Sequence, residues 1–348
     1  MASVRAIAKE VGVSAATVSR AMNNHPMVAA DVRDRVLEVA NRFGYVATVG
    51  RRTTNYIALC YMGERTIGSP FDAALMQGIS DRLDAAGYDL VILDANRARQ
   101  NGESLSQMLH RRGVRGAILR TTTRSRSLAE QLSSEGFPCV VVGDRFSEQS
   151  GVISIYSDSS ETSREAVEHL LALGHKHVAM LLNVVDDSDH LDRLSGYRQA
   201  LEKQSIDFDD RMVFRAAASL DAGVQFVRKL ATASPRPTAV YVADPMAAVG
   251  VINEARRTGL RVPEDLSVVG FDDGQLRHLT YPTMTSVVQD AEELGRGAFD
   301  LLTARLDKVT SSNSNGKTGE KLPMIGITRV LATHLEIHET TAPPAQNA

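Results

Sequence analysis

Cysteine is scarce in this sequence: only Cys60 and Cys139 occur, each inside an apolar run and far from the other. A disulfide framework or a thiolate metal site needs closer or more numerous cysteines, so both are expected as buried strand residues. No charged-then-apolar segment opens the chain, and no apolar run reaches the roughly eighteen residues of a membrane span. Export and membrane insertion therefore lack a signal, and the cytoplasm is the expected compartment. Neither a G-x-G-x-x-G turn nor a phosphate loop is present, which leaves a dinucleotide enzyme without support. No nucleophile–base pair or metal cluster stands out either, so no catalytic residue, no metal and no cofactor are expected. The final stretch, Thr-Ala-Pro-Pro-Ala-Gln-Asn-Ala, holds no leucine heptads for a carboxyl-terminal coil.

What is present is a chain of 348 residues, 43% hydrophobic and 23% charged, enough for two or three globular units. Its net charge of −3 is unevenly spread. Residues 1–52 carry Arg5, Lys9, Arg20, Arg33, Arg35, Arg42, Arg51 and Arg52 against Glu10, Asp31, Asp34 and Glu38, a net of about +4. A small basic unit joined to an acidic body fits a nucleic-acid headpiece on a body that does not touch nucleic acid.

Periodicity inside those residues predicts three helices. Ser3 caps the first, with Val4, Ile7, Ala8 and Val11 on one face, and Gly12 ends it. Ser14 caps the second, spanning 15–22. The third runs from about residue 30 to 43 and stops at Gly44. Two short helices about a tight turn, braced by a third, make a helix-turn-helix, which places the amino-terminal end of its second helix in the major groove of DNA. Ala15 and Ala16 would meet base edges through apolar contacts, and Arg20 can grip guanine O6 and N7. Ser3, Ser14, Thr17, Ser19 and Asn24 suit phosphate oxygens. An ordinary solvated helix face remains the alternative for any one of these residues.

The run from Ile7 to Asn23, Ile-Ala-Lys-Glu-Val-Gly-Val-Ser-Ala-Ala-Thr-Val-Ser-Arg-Ala-Met-Asn, resembles the headpiece signature of the lactose/galactose repressor (LacI/GalR) family, as does Arg35-Val36-Leu37 with Phe43-Gly44-Tyr45. That family joins headpiece to body through about twenty residues containing a hinge helix whose leucine wedges into the minor groove. Here the corresponding segment, 46–56, is shorter and has no leucine, and Gly50 with its threonines disfavours a helix. Arg51 and Arg52 remain able to hold phosphates or enter a narrow minor groove. A weaker operator bend than in relatives with the full hinge is expected.

From residue 56 apolar β-branched runs alternate with helical stretches. Strands are expected at 56–62, 89–94, 116–120, 139–143 and 152–156, then at 177–182, 212–215, 238–242 and 266–271. Helices are expected at 71–86, 104–112 and 127–135, then at 160–173, 193–204, 220–231 and 245–257. Such alternation implies an α/β fold of parallel sheets covered on both faces. The resemblance extends through Gly87–Leu90, the run to Leu173-Gly174-His175, Arg193–Arg198, Pro263–Asp273 and Thr285–Asp290. It implies a two-lobed effector domain like the sugar-binding periplasmic proteins, with crossovers near 157, 284 and 321. The resulting division is a headpiece at 1–45, a linker at 46–56, an effector core at 57–340 and a tail at 341–348. Within the core the first lobe takes 57–156 and 285–320, and the second takes 158–283 and 322–340. The Ser/Asn/Gly/Lys-rich stretch 310–321 reads as an exposed loop.

Ligands of open α/β sheets bind beyond the carboxyl ends of the strands. Candidates there, or at positions the resemblance implies, are Ser69, Phe71, Asp144, Arg193, Asp244, Asp272 and Gln289. Carboxylate and guanidinium groups hold paired hydroxyls, and an aromatic ring covers an apolar ligand face. Helix caps and turn bonds are the competing use of the aspartates. Ala243 and the sequence Ser69-Pro70-Phe71-Asp72 depart from the family's usual ligand set, and Asp72, if it faces the cleft, adds an acid that would favour hydroxyl-rich or cationic ligands over phosphates. His175-Lys176-His177 reads as a helix-to-strand turn and Asp186–His190 as a solvated loop rather than metal sites. The expected protein is a homodimeric repressor of a pseudo-palindromic DNA operator, controlled by a sugar-like effector, with no membrane partner. Activation or corepressor control is the alternative within that class, and a transporter's solute-binding protein is the alternative outside it.

Overall fold

The structure, a computed structural model, describes residues 3–22, 25–43, 45, 54–62, 67–100, 102–121, 125–185, 187–314 and 326–345. Asn24, Arg51, Arg52 and the linker residues 46–53 lie outside them.

Helices α1 (Val4–Val11), α2 (Ala15–Met22) and α3 (Ala30–Arg42) form the amino-terminal unit. Ser3 caps α1 by accepting from the Ala6 amide at 3.2 Å. Gly12 ends it at φ +77°, a left-handed conformation that a side chain would disfavour. Ser14 caps α2, accepting from the Thr17 amide at 3.1 Å. Ile7, Val11, Val18, Met22, Val36 and Ala40 close a small core. Arg35 donates to the Val11 carbonyl at 3.0 Å, satisfying the end of α1 from α3.

The remainder builds two lobes. In chain order the first holds β1 (Tyr56–Tyr61), α4 (Pro70–Ala86), β2 (Asp89–Asp94), α5 (Ala95–Ala98), α6 (Leu105–Arg111), β3 (Val114–Arg120), α7 (Arg126–Ser134), β4 (Cys139–Val142) and β5 (Ile153–Asp158). The second holds α8 (Ser160–Ala172), β6 (Val178–Asn183), α9 (Ser188–Lys203), β7 (Val213–Ala216), α10 (Leu220–Leu230), β8 (Ala239–Val242), α11 (Pro245–Arg257), β9 (Ser267–Asp272) and β10 (Thr285–Val288). The chain then returns to the first lobe as α12 (Ala291–Ser314) and β11 (Ile327–Ala332), and ends in the second with β12 (His334–Glu336). Among the described residues each lobe has a six-stranded sheet, ordered β11-β5-β4-β3-β1-β2 and β12-β10-β9-β8-β6-β7. All neighbours pair in parallel except β10 with β12. The strand order reverses at β1 in one sheet and β6 in the other, and at such switch points the strand ends leave a crevice.

The chain changes lobes after Asp158, after Val288 and at Thr333. Thr285–Val288 therefore belongs to the second sheet, beside β9, although a return to the first lobe was expected near 284. Ile327–Ala332 belongs to the first sheet, beside β5, although the last crossover was expected near 321. Both departures have one cause: strand partnership depends on residues far away in sequence. Helix α12 runs to Ser314, into the stretch 310–321 read as a loop. Cys60 and Cys139 are buried within the first lobe's core, and burial pushes both thiols up to about 12.

Helix α9 begins at Ser188, earlier than the expected 193, because Asp187 caps it by accepting from the His190 amide. Farther along, a Cβ on Gly196 would stand 2.3 Å from the Ser160 carbonyl, so only glycine lets α9 lie this close to α8. That contact fixes where the first turns of α9, including Arg193, enter the space between the lobes.

Candidate DNA interface and ligand cavity

On the amino-terminal unit, Val18, Ala21 and Met22 turn inward, leaving Ala15, Ala16, Ser19 and Arg20 exposed along the opposite face of α2. These expected base- and phosphate-contacting residues thus share one solvent-facing surface. Ser14 and Thr17 stand at its start, their hydroxyls 2.9 Å apart. The Ser14 oxygen is already used as a cap, so its hydroxyl hydrogen is what it can offer a phosphate.

Between the lobes lies a cavity of about 670 Å³. Its wall is built from strand ends: Ser69 and Phe71 beyond β1, Arg120 at the end of β3, Asn183 at the end of β6, Asp244 beyond β8, Asp273 beyond β9 and Gln289 beyond β10. The first turns of α9 add Asp187, Asp189, His190 and Arg193.

In the first-lobe wall every charge is matched. Arg120 donates to Asp72 at 3.1 Å and to the Val142 carbonyl at 3.1 Å, and its guanidinium lies 4.3 Å from the Phe71 ring centroid. Asp72 is buried beneath this stack and does not line the cavity. Ser69 caps α4 by accepting from the Asp72 amide at 3.1 Å.

The second-lobe wall differs. Arg193 donates to the Ala243 carbonyl at 2.6 Å and stacks 3.6 Å from the Phe271 centroid, yet its Nε is buried without a partner. Asp189 Oδ1 and His190 Nε2 are likewise buried and unpartnered. Burial pushes the Asp189 carboxyl well above the usual range, Asp187 adds to the rise, and Arg193 and Arg120 oppose it. Burial also raises Asp244 against the pull of Arg193 and His190. Asp273 is raised to about 6 by burial, with Arg193 and the Gln289 amide opposing and Asp244 and Asp272 reinforcing. For Asp187 burial acts upward, but His190, whose Nδ1 lies 2.7 Å away, holds the carboxyl below its ordinary value.

Of the residues expected around the ligand, Ser69, Phe71, Arg193, Asp244 and Gln289 line this cavity. Asp272 does not. Its carboxylate accepts from the amides of Gly274, Leu276 and Arg277 at 3.1–3.2 Å and from Arg277 Nη1 at 2.8 Å, and none of these partners lines the cavity. Its neighbour Asp273, one residue past the strand, faces the ligand space and accepts from Gln289 Nε2. Asp144 is displaced as well: it binds Thr121, Arg126 and, across the lobes, Ser188. Arg145 beside it pairs with Asp192 of α9 at 2.8 Å, a second bridge between lobes. The stretch read as a solvated loop supplies cavity-wall residues Asp187, Asp189 and His190. Arg120 was not among the expected residues; its place at the carboxyl end of β3 is the signal that could have found it. His175 is a turn residue, bonded to Thr238 and to the Ala342 carbonyl. Among the described residues no group of three or more His, Cys, Asp or Glu is placed to hold a metal, and no helix is long and apolar enough to cross a membrane.

Comparison with known proteins bears on both regions. Residues 3–48 match the family model for bacterial regulatory proteins of the lacI family, and residues 167–327 match the periplasmic binding protein-like domain. The HTH-type transcriptional regulator CelR of Thermobifida fusca is 30% identical over 344 residues, covering 96% of each chain. Catabolite control protein A of Priestia megaterium is 29% identical over 318 residues, covering 88% of this chain and 93% of its own. A solved complex of CelR with cellobiose superposes with a TM-score of 0.69 at 28% identity, covering 98% of this chain and 100% of that one. With a capped helix-turn-helix at one end and a two-lobed cavity in its body, this chain belongs to the lacI family of bacterial regulatory proteins and is a DNA-binding transcriptional regulator.

Proposed function

We propose that this chain is a cytoplasmic, non-catalytic repressor that binds its operator as a homodimer and is switched by a hydroxyl-rich small molecule held between the lobes. The observation that carries the reading is the cavity itself, lined from both lobes and flanked by the Asp144–Ser188 and Arg145–Asp192 bridges. A ligand filling it touches both walls, so it binds one lobe arrangement better than another, and that difference is what shifts an equilibrium. The CelR complex supports a sugar as the ligand class, since its cellobiose is bound to a relative of the same two-lobed fold.

In α6 the residues Leu105–Leu109 are buried in their own lobe, which leaves the outer face of α4 and the exposed Ile92 of edge strand β2 to meet a second copy. Two-fold pairing of headpieces implies a pseudo-palindromic operator.

Selection of binding sites from a random DNA pool, followed by a screen for small molecules that release or strengthen the complex, tests the proposal. Inverted-repeat half-sites and a ligand response are expected; a single asymmetric site with no response would overturn it. Arg20→Ala should cost about 1–3 kcal/mol at one operator position and relax discrimination there. Unchanged discrimination in a base-by-base competition assay would remove Arg20 from base reading.

A further inference from the structure

The cavity carries more negative charge than a neutral sugar requires. Asp187, Asp189, Asp244 and Asp273 line it from the second lobe, and Asp221 stands at its edge. Among the described lining residues the permanent cations are Arg120 and Arg193. Arg120 is already paired with Asp72 and reaches only Asp189 of the cluster, and His190 pairs with Asp187, which leaves Arg193 as the one permanent cation among the described lining residues that acts on all four carboxyls. Buried carboxylates without compensation are costly, and they either take up protons or acquire a cation. A metal ion does not fit that role, because no group of three or more such ligands among the described residues is placed to hold one.

A second, independent observation concerns hydrogen bonding. Arg193 is 5% exposed, lines the cavity, and keeps a buried Nε–H with no acceptor. Such a donor needs an oxygen that the protein does not supply. Asp189 Oδ1, also buried and unpartnered, needs a donor. A group that presents an oxygen to Arg193 and N–H donors to the carboxylates satisfies both.

We propose that the ligand is an amino sugar: a hydroxylated ring or pair of rings whose oxygen accepts from Arg193 Nε and whose ammonium group lies among Asp187, Asp189, Asp244 and Asp273. The inference rests on the cavity being the effector site and adds the ligand's charge. A cavity of about 670 Å³ accommodates a disaccharide. The ammonium returns the raised carboxyls to their ionised form, so binding releases protons from the site.

The test uses the full-length protein and matched ligands near neutral pH. Glucosamine, galactosamine, mannosamine and the β-1,4 glucosamine dimer are each compared with the parent sugar and the N-acetyl form by thermal shift and calorimetry. At least one amine should bind about tenfold or more tightly than both its counterparts. That preference should vanish in Asp189→Asn and in Asp273→Asn, whose amides keep the shape and whose retained operator binding reports correct folding. If parent sugars bind as well as the amines and Arg193→Gln abolishes that binding, the amino-sugar inference fails while the effector site stands. If an amine binds equally well to both Asn variants and to Arg193→Gln, its site is elsewhere and the inference falls. If no amine in the panel binds, it falls as well, and the operator-release screen decides separately whether the cavity is an effector site.

Discussion

The two walls of the cavity come from lobes of the same topology, yet they hold charge in opposite ways. In the first lobe Arg120, Asp72 and Phe71 form a closed stack in which each polar group has its partner. In the second, Arg193, Asp189 and His190 each keep a buried atom without one. A wall complete in itself gains little from a ligand and serves as a fixed platform. A wall with unmet donors and acceptors gains on binding what it gives up in stability when empty. On the proposed reading of the cavity, recognition is concentrated on one lobe, and the other lobe senses the ligand mainly through the bridges at Asp144 and Arg145.

Four experiments can break or sharpen this contrast. The largest effect is expected at the pair Asp272 and Asp273, adjacent residues with opposite roles. Asp272→Ala strips the side-chain acceptor from three amides and one of two carboxylate partners from Arg277, which keeps Glu336, and should cost about 3–5 kcal/mol in a denaturant titration. Asp273→Ala should cost far less stability and should remove ligand binding; equal losses from both would end the distinction between them.

Next is the first-lobe pair. Asp72→Ala leaves the Arg120 guanidinium uncompensated and should destabilise by about 2–4 kcal/mol, whereas the apolar double replacement Asp72→Leu with Arg120→Met should restore most of that loss. Additive losses would show that the stack is not a self-contained pair.

Asp273 also makes the second wall pH-sensitive. Its folded pKa of about 6 lies above the unfolded value of 3.8, so the folded protein binds more protons between them and this carboxyl's contribution to stability falls as pH rises. Moving from pH 4 to pH 7 should cost about 2–3 kcal/mol through this group, and Asp273→Asn should flatten that part of the profile. An Asn variant with the parent's slope would assign the titration elsewhere.

The smallest effect belongs to the bridge: Ser188→Ala removes one bond between lobes, worth about 1 kcal/mol, and should change ligand affinity about fivefold without changing operator half-site preference. Unaltered affinity would show that this bond does not report on lobe arrangement.

What the sequence revealed follows the range of the forces involved. Helices α1 and α2 could be read from 3.6-residue periodicity with Ser3, Gly12 and Ser14 as punctuation, all local signals. Helix α12 was missed because Gly295 and Gly297 interrupt its pattern; its glycines serve distant neighbours, a Cβ on Gly295 meeting the Leu75 carbonyl at 2.2 Å. Strands β11 and β12 are edge strands, the first mostly exposed and the second only three residues long, so no apolar run announced them. Naming Asp272 instead of Asp273 is an error of one residue at a strand end, where successive side chains point to opposite faces. The acid cluster was hidden for a different reason. Asp187 and Asp189 read as hydrophilic loop residues, whereas the tertiary fold puts them at the start of α9 and in the wall of the cavity.

The last connection between lobes is a single residue, Thr333, whose hydroxyl reaches both the Asp158 carbonyl at 3.2 Å and Thr162 Oγ1 at 2.7 Å. It sits beside the first connection, and β12 places it next to the second through the pairing of His334 with Val288. Three closely spaced straps leave a rigid body few degrees of freedom, chiefly rotation about the line they define. If the cavity is the effector site as proposed, the message that leaves it is an angle, and chemically different effectors would be told apart downstream only by how far they turn it.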